Sequence, residues 1–285
     1  MIKKKVKNQN SVSFFSPAKI NLFFRVLKKR KDGFHDIASL MQTIDFGDTL
    51  FFEPYSCDKL TCNISALACD KTNLIMQGLC LFRQKTGFGL PLKIHIEKRI
   101  PMQAGLGGGS SNLATTLWAL NELSGHLVSQ STLQMWSSEL SSDAPFFFST
   151  GTAYVQGRGE QVTSLPPLSQ RSFYLLQPEE RLSTSLVYHH CLPASIPPID
   201  MNSLETLIGY NDLEKGAFFL KPELGRLKKT LKKMGFDLVC MTGSGSCFFC
   251  FGTTCPSLES LKVTSTPTHF IHRLNGVWYE PKGDK

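Results

Sequence analysis

Apolar residues alternate through Leu92, Ile94 and Ile96 of "LKIHIEKRI", and that period of two predicts a strand with one buried face. Further on the spacing changes. Leu113, Leu117 and Leu120, with Leu123 close by, recur at three and four residues and predict a helix with one apolar stripe. Between them lies "PMQAGLGGGSSN", residues 101–112, with four glycines and two serines. The glycines therefore form a strand-to-helix turn at a helix N-terminus.

The same patterning organises the rest of the chain. "SVSFF", "KINLFFRVL" and "DTLFFEP" predict strands, and "NLIMQGLCLFRQKTG" and "STLQMWSSEL" predict helices. The apolar runs Phe146–Phe148 and Phe248–Phe251 are expected as core strands. The Pro/Ser-rich "TSLPPLSQRS" at 163–172 is the linker candidate. Beyond it come a strand "FYLLQP", helices near 183–190, 203–209 and 221–235, and strands in "DLVCMTGSGSCFFCFG" and "THFIHRLNGVWYEP". Strict alternation of strand and helix is missing, which favours an α+β chain over a doubly wound sheet. The expected domains are 1–162 and 163–285, meeting at a cleft.

Composition narrows the class. The chain has 285 residues, 41% hydrophobic and 19% charged, the balance of a globular protein with a real core. No segment approaches the ~18 uninterrupted apolar residues of a membrane helix. Lysines precede an apolar region at the start, but Lys19, Asn21 and Arg25 interrupt it, so residues 1–10 read as a frayed basic tail and not a leader. Nine cysteines, an odd number spread along the chain, do not make a disulfide framework. Cys247 and Cys250 form a C-x-x-C without a second such pair, and are expected as buried free thiols; His269 and His272 of "HFIH" are expected as surface or strand decoration. A reducing cytoplasmic location follows.

The net charge of +8 favours an anionic partner, either nucleic acid or a polyphosphorylated small molecule. A basic nucleic-acid-binding protein would interleave basic residues with exposed aromatics, and no such module is evident. In "RLKKTLKKMGF", Leu224, Leu227, Leu231 and Met234 mark a buried stripe that leaves Lys228, Lys229, Lys232 and Lys233 on solvated faces. The glycine turn answers the charge better. Backbone N–H groups at a helix N-terminus, approached closely where side chains are absent, attract anions. No Lys follows the glycines as a P-loop requires, "GLGGGS" fails the last glycine of the dinucleotide fingerprint, and neither "GGSSN" nor "MTGSG" completes a nucleophile elbow. The turn is a phosphate cradle of another kind.

Two further stretches join it. "SPAKINLFFRVLKKRKDGFHDI" places Lys19 and Asn21 two apart, on one face of a strand, and "MTGSGSC" is a second glycine turn. Pro17–Asn21, Pro101–Asn112 and Met241–Cys247 together resemble the three motifs of the small-molecule kinase superfamily that includes galactokinase, homoserine kinase and mevalonate kinase. With "KRKDGFHDI", "SSDAPFF" and "GRGE" in order, the chain is similar, from about residue 13 to about 275, to the 4-diphosphocytidyl-2-C-methyl-D-erythritol kinase family of the non-mevalonate isoprenoid pathway.

That resemblance implies an N-terminal α/β domain like a ribosomal-protein domain, a C-terminal ferredoxin-like domain, and an active site between them. It implies ATP and Mg²⁺, with the metal ligands unknown apart from Ser111 and the phosphates as candidates. Gly105, Leu106, Gly107, Gly108, Gly109, Ser110 and Ser111 would hold the phosphates, with Asn73, Leu74, Lys98 and Met102 towards the adenine. Lys19 and Asp143 would be the catalytic pair. Asn21 and His35 would contact the acceptor, with Phe34 and Tyr188 sandwiching its cytosine, Thr184 close by, and Gly243 and Ser244 closing the site. The partners implied are small molecules, without nucleic acid or membrane, for a monomer or weak homodimer. The alternative within the superfamily is a homoserine or mevalonate type of kinase. Four positions depart from the family's common pattern: Phe34 replaces Tyr, Ser141-Ser142 replace Gly-Ala, and Thr242 replaces Ser. None removes a group that the reaction needs.

Overall fold

The computed structural model describes residues 11–191, 193, 201–252, 256–259 and 261–281; the basic segment 1–10 and Cys255 lie outside them. The first sheet is built on two long strands, β1 (Val12–Lys29) and β2 (His35–Pro54), paired antiparallel along their length. β3 (Lys59–Cys62), β4 (Leu92–Glu97), β5 (Thr152–Gly157) and β6 (Gln161–Ser164) complete it in the order β3-β4-β2-β5-β6. β1 is one strand where patterning predicts two, because register shifts at Pro17/Ala18 and Asn21/Phe23 slip the alternation. The body of β2 is buried on both faces, so it carries no alternation to read.

Helices α1 (Leu74–Thr86), α2 (Gly108–Leu123) and α3 (Gln130–Leu140) pack beside this sheet. The expected single stripe of α2 is too narrow: every residue from Ser111 to Asn121 is buried, since α1, α3, β1 and β2 all lean on it. Phe146–Phe148 are core residues but not a strand. They lie in a 3-10 turn, Ala144–Phe148, entered through Pro145, whose fixed φ suits the start of a turn.

The second sheet holds β7 (Ser172–Pro178), β8 (Leu238–Met241), β9 (Phe248–Phe251) and β10 (Val263–His269), in the order β10-β7-β9-β8 and antiparallel throughout. Counted within this unit, that is the 4-1-3-2 order of a ferredoxin-like sheet. Helices α4 (Thr184–His189), α5 (Leu213–Leu220) and α6 (Pro222–Lys233) lie between β7 and β8 in sequence. The helix expected near 203–209 is a 3-10 turn, Met201–Leu207. The strand expected beyond His269 does not continue. The chain instead returns to the first sheet, where the Trp278 indole N–H donates to the Phe15 carbonyl at 2.9 Å and the ring stacks on Trp118 at 5.1 Å.

Cys247 and Cys250 are both fully buried and pack into different hydrophobic clusters, so they do not converge on a metal. Burial pushes the Cys247 thiol up to about 12. No disulfide joins the eight cysteines among the described residues to one another. Lys228 is not on a solvated face as expected: its ammonium is largely buried and pairs with Glu214 at 2.5 Å. His269 lies 3.5 Å from Asp45.

Candidate active site

Both glycine turns close on the strand that carries Lys19. The Lys19 N–H donates to the Leu106 carbonyl at 3.0 Å, and the Asn21 N–H donates to the Thr242 hydroxyl oxygen at 3.0 Å. That hydroxyl reaches the Gly105 carbonyl at 3.3 Å, tying one turn to the other. Gly105 has φ 76°, and a Cβ there would come within 2.1 Å of the Thr242 carbonyl oxygen, so only glycine fits.

The helix behind the first turn has an N-terminus without a side-chain cap, as do α4, α5 and α6. α1 and α3 are capped by the side chains of Asn73 and Ser129, but α2 begins at Gly107 with no side-chain cap. Its first-turn N–H groups are left for a ligand, and Gly107, Gly108, Gly109 and Ser110 line the adjoining cleft. Ser111 does not line it. Its hydroxyl points inward to Ser16 at 2.8 Å and is fully buried, so it offers nothing to phosphate or metal there.

Lys19 is buried at the cleft floor, 3.7 Å from the Asp143 carboxylate, and donates to Asn21 Oδ1 at 2.5 Å. Burial draws the Lys19 ammonium below the ordinary lysine range, with Asp143 pulling the other way. Asn21 in turn donates to the Ser39 hydroxyl at 2.8 Å. Asn21 is fully buried and absent from the cleft wall: it orients Lys19, and the expected contact with the acceptor is not its position here.

The cleft has a volume of about 1630 Å³. Among the described residues lining it Asp143 is the one carboxylate, facing Lys19, Lys29, Lys98, Arg158 and Arg181. The Lys98 ammonium, expected near the adenine, is paired with buried Asp48, which also accepts from the N–H groups of Arg99 and Ile100. Asn73 lines the same end but commits its side chain to capping α1 and to the Ala68 carbonyl. Leu74 and Met102 line it without such ties.

Phe34, His35, Thr184, Tyr188, Gly243 and Ser244 also line the cleft, with Gly243 beside Lys19, since a Cβ on it would stand 3.2 Å from the ammonium. Phe34 and Tyr188, the rings expected on the two faces of the cytosine, are thus both in the cleft wall. Tyr188 faces His35, ring centroids 5.2 Å apart, while Phe34 sits under the Arg158 guanidinium at 5.0 Å. Burial, helped by Lys29, lowers the His35 pKa, so its imidazole stays neutral at neutral pH. Thr184 and Ser244 share a hydroxyl hydrogen bond of 2.9 Å.

Sequence reasoning missed several supports. Asn211 donates both amide hydrogens to carbonyls flanking Thr242, those of Met241 at 2.7 Å and Gly243 at 2.8 Å. Glu214 accepts the Met241 N–H at 2.9 Å. No spacing announces these residues, since they hold a turn some thirty positions away; the polar "NDLE" before an apolar run is the one cue. Arg158 and Arg181 were also passed over, although Arg158 lies in the quoted "GRGE".

Comparison with known proteins agrees with this geometry. The GHMP kinase N-terminal domain model matches residues 73–151, and the GHMP kinase C-terminal model matches 195–260. A relative from Protochlamydia amoebophila, named 4-diphosphocytidyl-2-C-methyl-D-erythritol kinase, is 49% identical over 96% of this chain and 95% of its own. The chloroplastic protein of that name from Arabidopsis thaliana is 42% identical over 94% of this chain and 76% of its own. A crystal structure titled 4-(cytidine 5'-diphospho)-2C-methyl-D-erythritol kinase superposes with a TM-score of 0.77 at 29% identity, covering 92% of this chain and all of that one. A homoserine kinase from Cytophaga hutchinsonii shares the fold at 16% identity and a TM-score of 0.71 over 96% of this chain and 98% of that one. Identity at these levels along nearly the whole chain, on top of the paired glycine turns, means that the chain belongs to the 4-diphosphocytidyl-2-C-methyl-D-erythritol kinase family of the GHMP kinases.

Proposed function

We propose that the protein transfers the γ-phosphoryl group of ATP to the 2-hydroxyl of 4-diphosphocytidyl-2-C-methyl-D-erythritol. The observation that carries this is the Lys19–Asp143 pair, 3.7 Å apart at the floor of a cleft bounded by an uncapped helix N-terminus. The triphosphate lies on the first turn of α2, with Gly105–Ser110 around it. The adenine lies towards Leu74 and Met102, and the cytidine half of the acceptor lies at His35, Phe34 and Tyr188.

Asp143 receives the proton of the acceptor hydroxyl, and Lys19 stabilises charge gathering on the transferred group. Removal of that proton before attack is too costly. An alcohol is far less acidic than a carboxylic acid, so full proton transfer ahead of attack would take up most of the barrier. A turnover of about 10 per second allows a total barrier of only about 16 kcal/mol. Asp143 therefore orients the hydroxyl and takes the proton late, in a loose transition state. The hydroxyl is on a tertiary carbon, so positioning carries much of the work.

Magnesium fits the donors present. Asp143 and the hydroxyls of Ser110 and Ser141, themselves 2.8 Å apart, are hard oxygen ligands near the helix start. Among the described residues no group of three or more His, Cys, Asp or Glu side chains is poised for a metal, in keeping with a cation held largely by phosphate and water. Bound there, the ion would offset phosphate charge during transfer. Among the described residues no helix is long and apolar enough to cross a membrane. Cysteines not bridged to one another among the described residues are in keeping with a reducing cytoplasm.

The test is ADP release with ATP, Mg²⁺ and the cytidylated acceptor, measured beside Asp143→Asn and Lys19→Ala. Turnover in the wild type, lost in both variants while Asp143→Asn still binds ATP, supports the reading. Turnover with homoserine or mevalonate instead would keep the kinase and overturn the acceptor.

A further inference from the structure

Arg158 has no part in phosphoryl transfer as derived above, yet it is unusually well held. It sits in the β5–β6 turn between Gly157, φ 69°, and Gly159, φ 125°. Its N–H donates to Glu160 Oε2 at 2.7 Å, and its guanidinium approaches the same carboxylate at 3.9 Å. From this seat it covers one face of the Phe34 ring, 5.0 Å from the centroid.

Phe34 belongs to the tip of the β1–β2 hairpin, which is braced from within. The Phe34 N–H donates to Asp32 at 3.1 Å, the Phe34 carbonyl accepts from the Arg30 N–H at 2.8 Å, and Arg30 pairs with both Asp32 and Asp36 at 2.9 Å. The backbone of the tip is thus fixed, but the ring is 51% exposed. An exposed aromatic ring gains orientation only from what lies on its faces. Arg158 lines the cleft and supplies one such face by cation–π contact, leaving the other for a ligand.

We propose that Arg158 is a positioning residue for the acceptor: by seating on Phe34 it fixes that ring as a preformed wall for the pyrimidine of a cytidine diphosphate group. The inference rests on the acceptor reading above. The turn also passes close to the catalytic aspartate, since a Cβ at Gly159 would stand 3.3 Å from Asp143 Oδ1 and 3.1 Å from the Ser142 carbonyl oxygen. One turn therefore braces the base end of the cleft and abuts the catalytic aspartate. A pyrimidine stacked on Phe34 is placed relative to Asp143 through a single short connection.

The experiment is a double-mutant cycle of Arg158→Gln and Phe34→Leu, with Arg158→Lys as the conservative variant. Steady-state constants are read for both substrates, and cytidine 5'-diphosphate binding is read by calorimetry. Arg158→Gln should raise the acceptor's KM and weaken cytidine diphosphate about three- to tenfold, the size of one cation–π contact. The KM of ATP should move by less than about twofold. In the Phe34→Leu background the Arg158 effect should vanish, and Arg158→Lys should recover part of it. Additive losses would overturn the proposal, because Arg158 would then touch the ligand independently of Phe34. Equal effects on ATP, or none on either ligand, would overturn it as well. A wild type that neither turns over the acceptor nor binds cytidine diphosphate would instead sink the acceptor reading itself.

Discussion

Gly107 stands directly against Lys19: a Cβ built on the glycine would lie 2.9 Å from Lys19 Cγ and 3.1 Å from Cε. Its φ of 69° is in the left-handed region, where a side chain costs about 1–2 kcal/mol. Gly107→Ala therefore strains the turn and pushes the ammonium off the cleft floor. Turnover should fall by about 10²-fold, the usual result of an ångström-scale misplacement. Gly109→Ala is the control for the fold, since its Cβ would meet only the Leu74 Cδ1 methyl at 3.4 Å. Thermal melts with equal midpoints for the two variants would contradict the strain argument.

Lys19 exchanges stability for function. Burial depresses its pKa despite Asp143, so the folded state binds a proton less readily than the unfolded chain. Below the unfolded value of 10.5 the charged lysine thus opposes folding. Lys19→Met, similar in length, removes that cost but leaves Asn21 Oδ1 only the Thr242 hydroxyl at 3.5 Å. The melting midpoint at pH 7 should drop by no more than about 3 °C, while activity falls by about 10²-fold or more. A midpoint many degrees lower would mean that the ion pair with Asp143 outweighs the burial.

Acid sensitivity should appear at the acceptor end. His35 titrates below its ordinary 6.5, because burial and then Lys29 disfavour its charged form. The neutral ring is therefore retained as pH falls to 6.5, and kcat/KM for the acceptor should decline only below that value. Lys29→Gln removes a repelling charge and should move this acid limb upward. A pH profile in which Lys29→Gln lowers the limb, or leaves it in place, would show that His35 is not the titrating group.

How much of this was legible in the sequence depends on whether a residue's role is local. The turn at Gly105–Ser110 is written in neighbouring residues and is found where patterning places it, whereas Asn73, expected near the adenine, caps α1. Helix α2 is different. Its stripe of Leu113, Leu117 and Leu120 is real, but Asn112, Thr115 and Thr116 are buried as well, because three-dimensional neighbours cover the polar faces. Ser111 was assigned to phosphate on the strength of its motif, yet its hydroxyl belongs to Ser16 across the sheet. The contact of His35 with Tyr188 has no local signal either, because it joins the start of β2 to α4, far apart in sequence.

Asn211 is the sharpest case of a role without a local signal, and it yields the last prediction. It is nearly buried, with both amide hydrogens donated to the Met241 and Gly243 carbonyls and its Oδ1 accepting the Leu213 N–H at 2.9 Å. Thr242, held between those carbonyls, is the residue whose hydroxyl receives the Asn21 N–H. The path from Asn211 to Lys19 thus runs through one turn and one strand residue. Asn211→Leu keeps the bulk but takes a partner from two buried carbonyls and from the Leu213 N–H, at about 1–3 kcal/mol for a group left unmet. Stability should fall by about 2–4 kcal/mol by denaturant titration, at the upper end for a single substitution. Below the melting transition kcat should fall more than either KM, because the loosened turn misplaces Lys19 and Asn21 without removing a ligand contact. A variant as stable as the wild type, or one whose only defect is a higher KM for ATP, would mean that the second glycine turn holds its shape without Asn211.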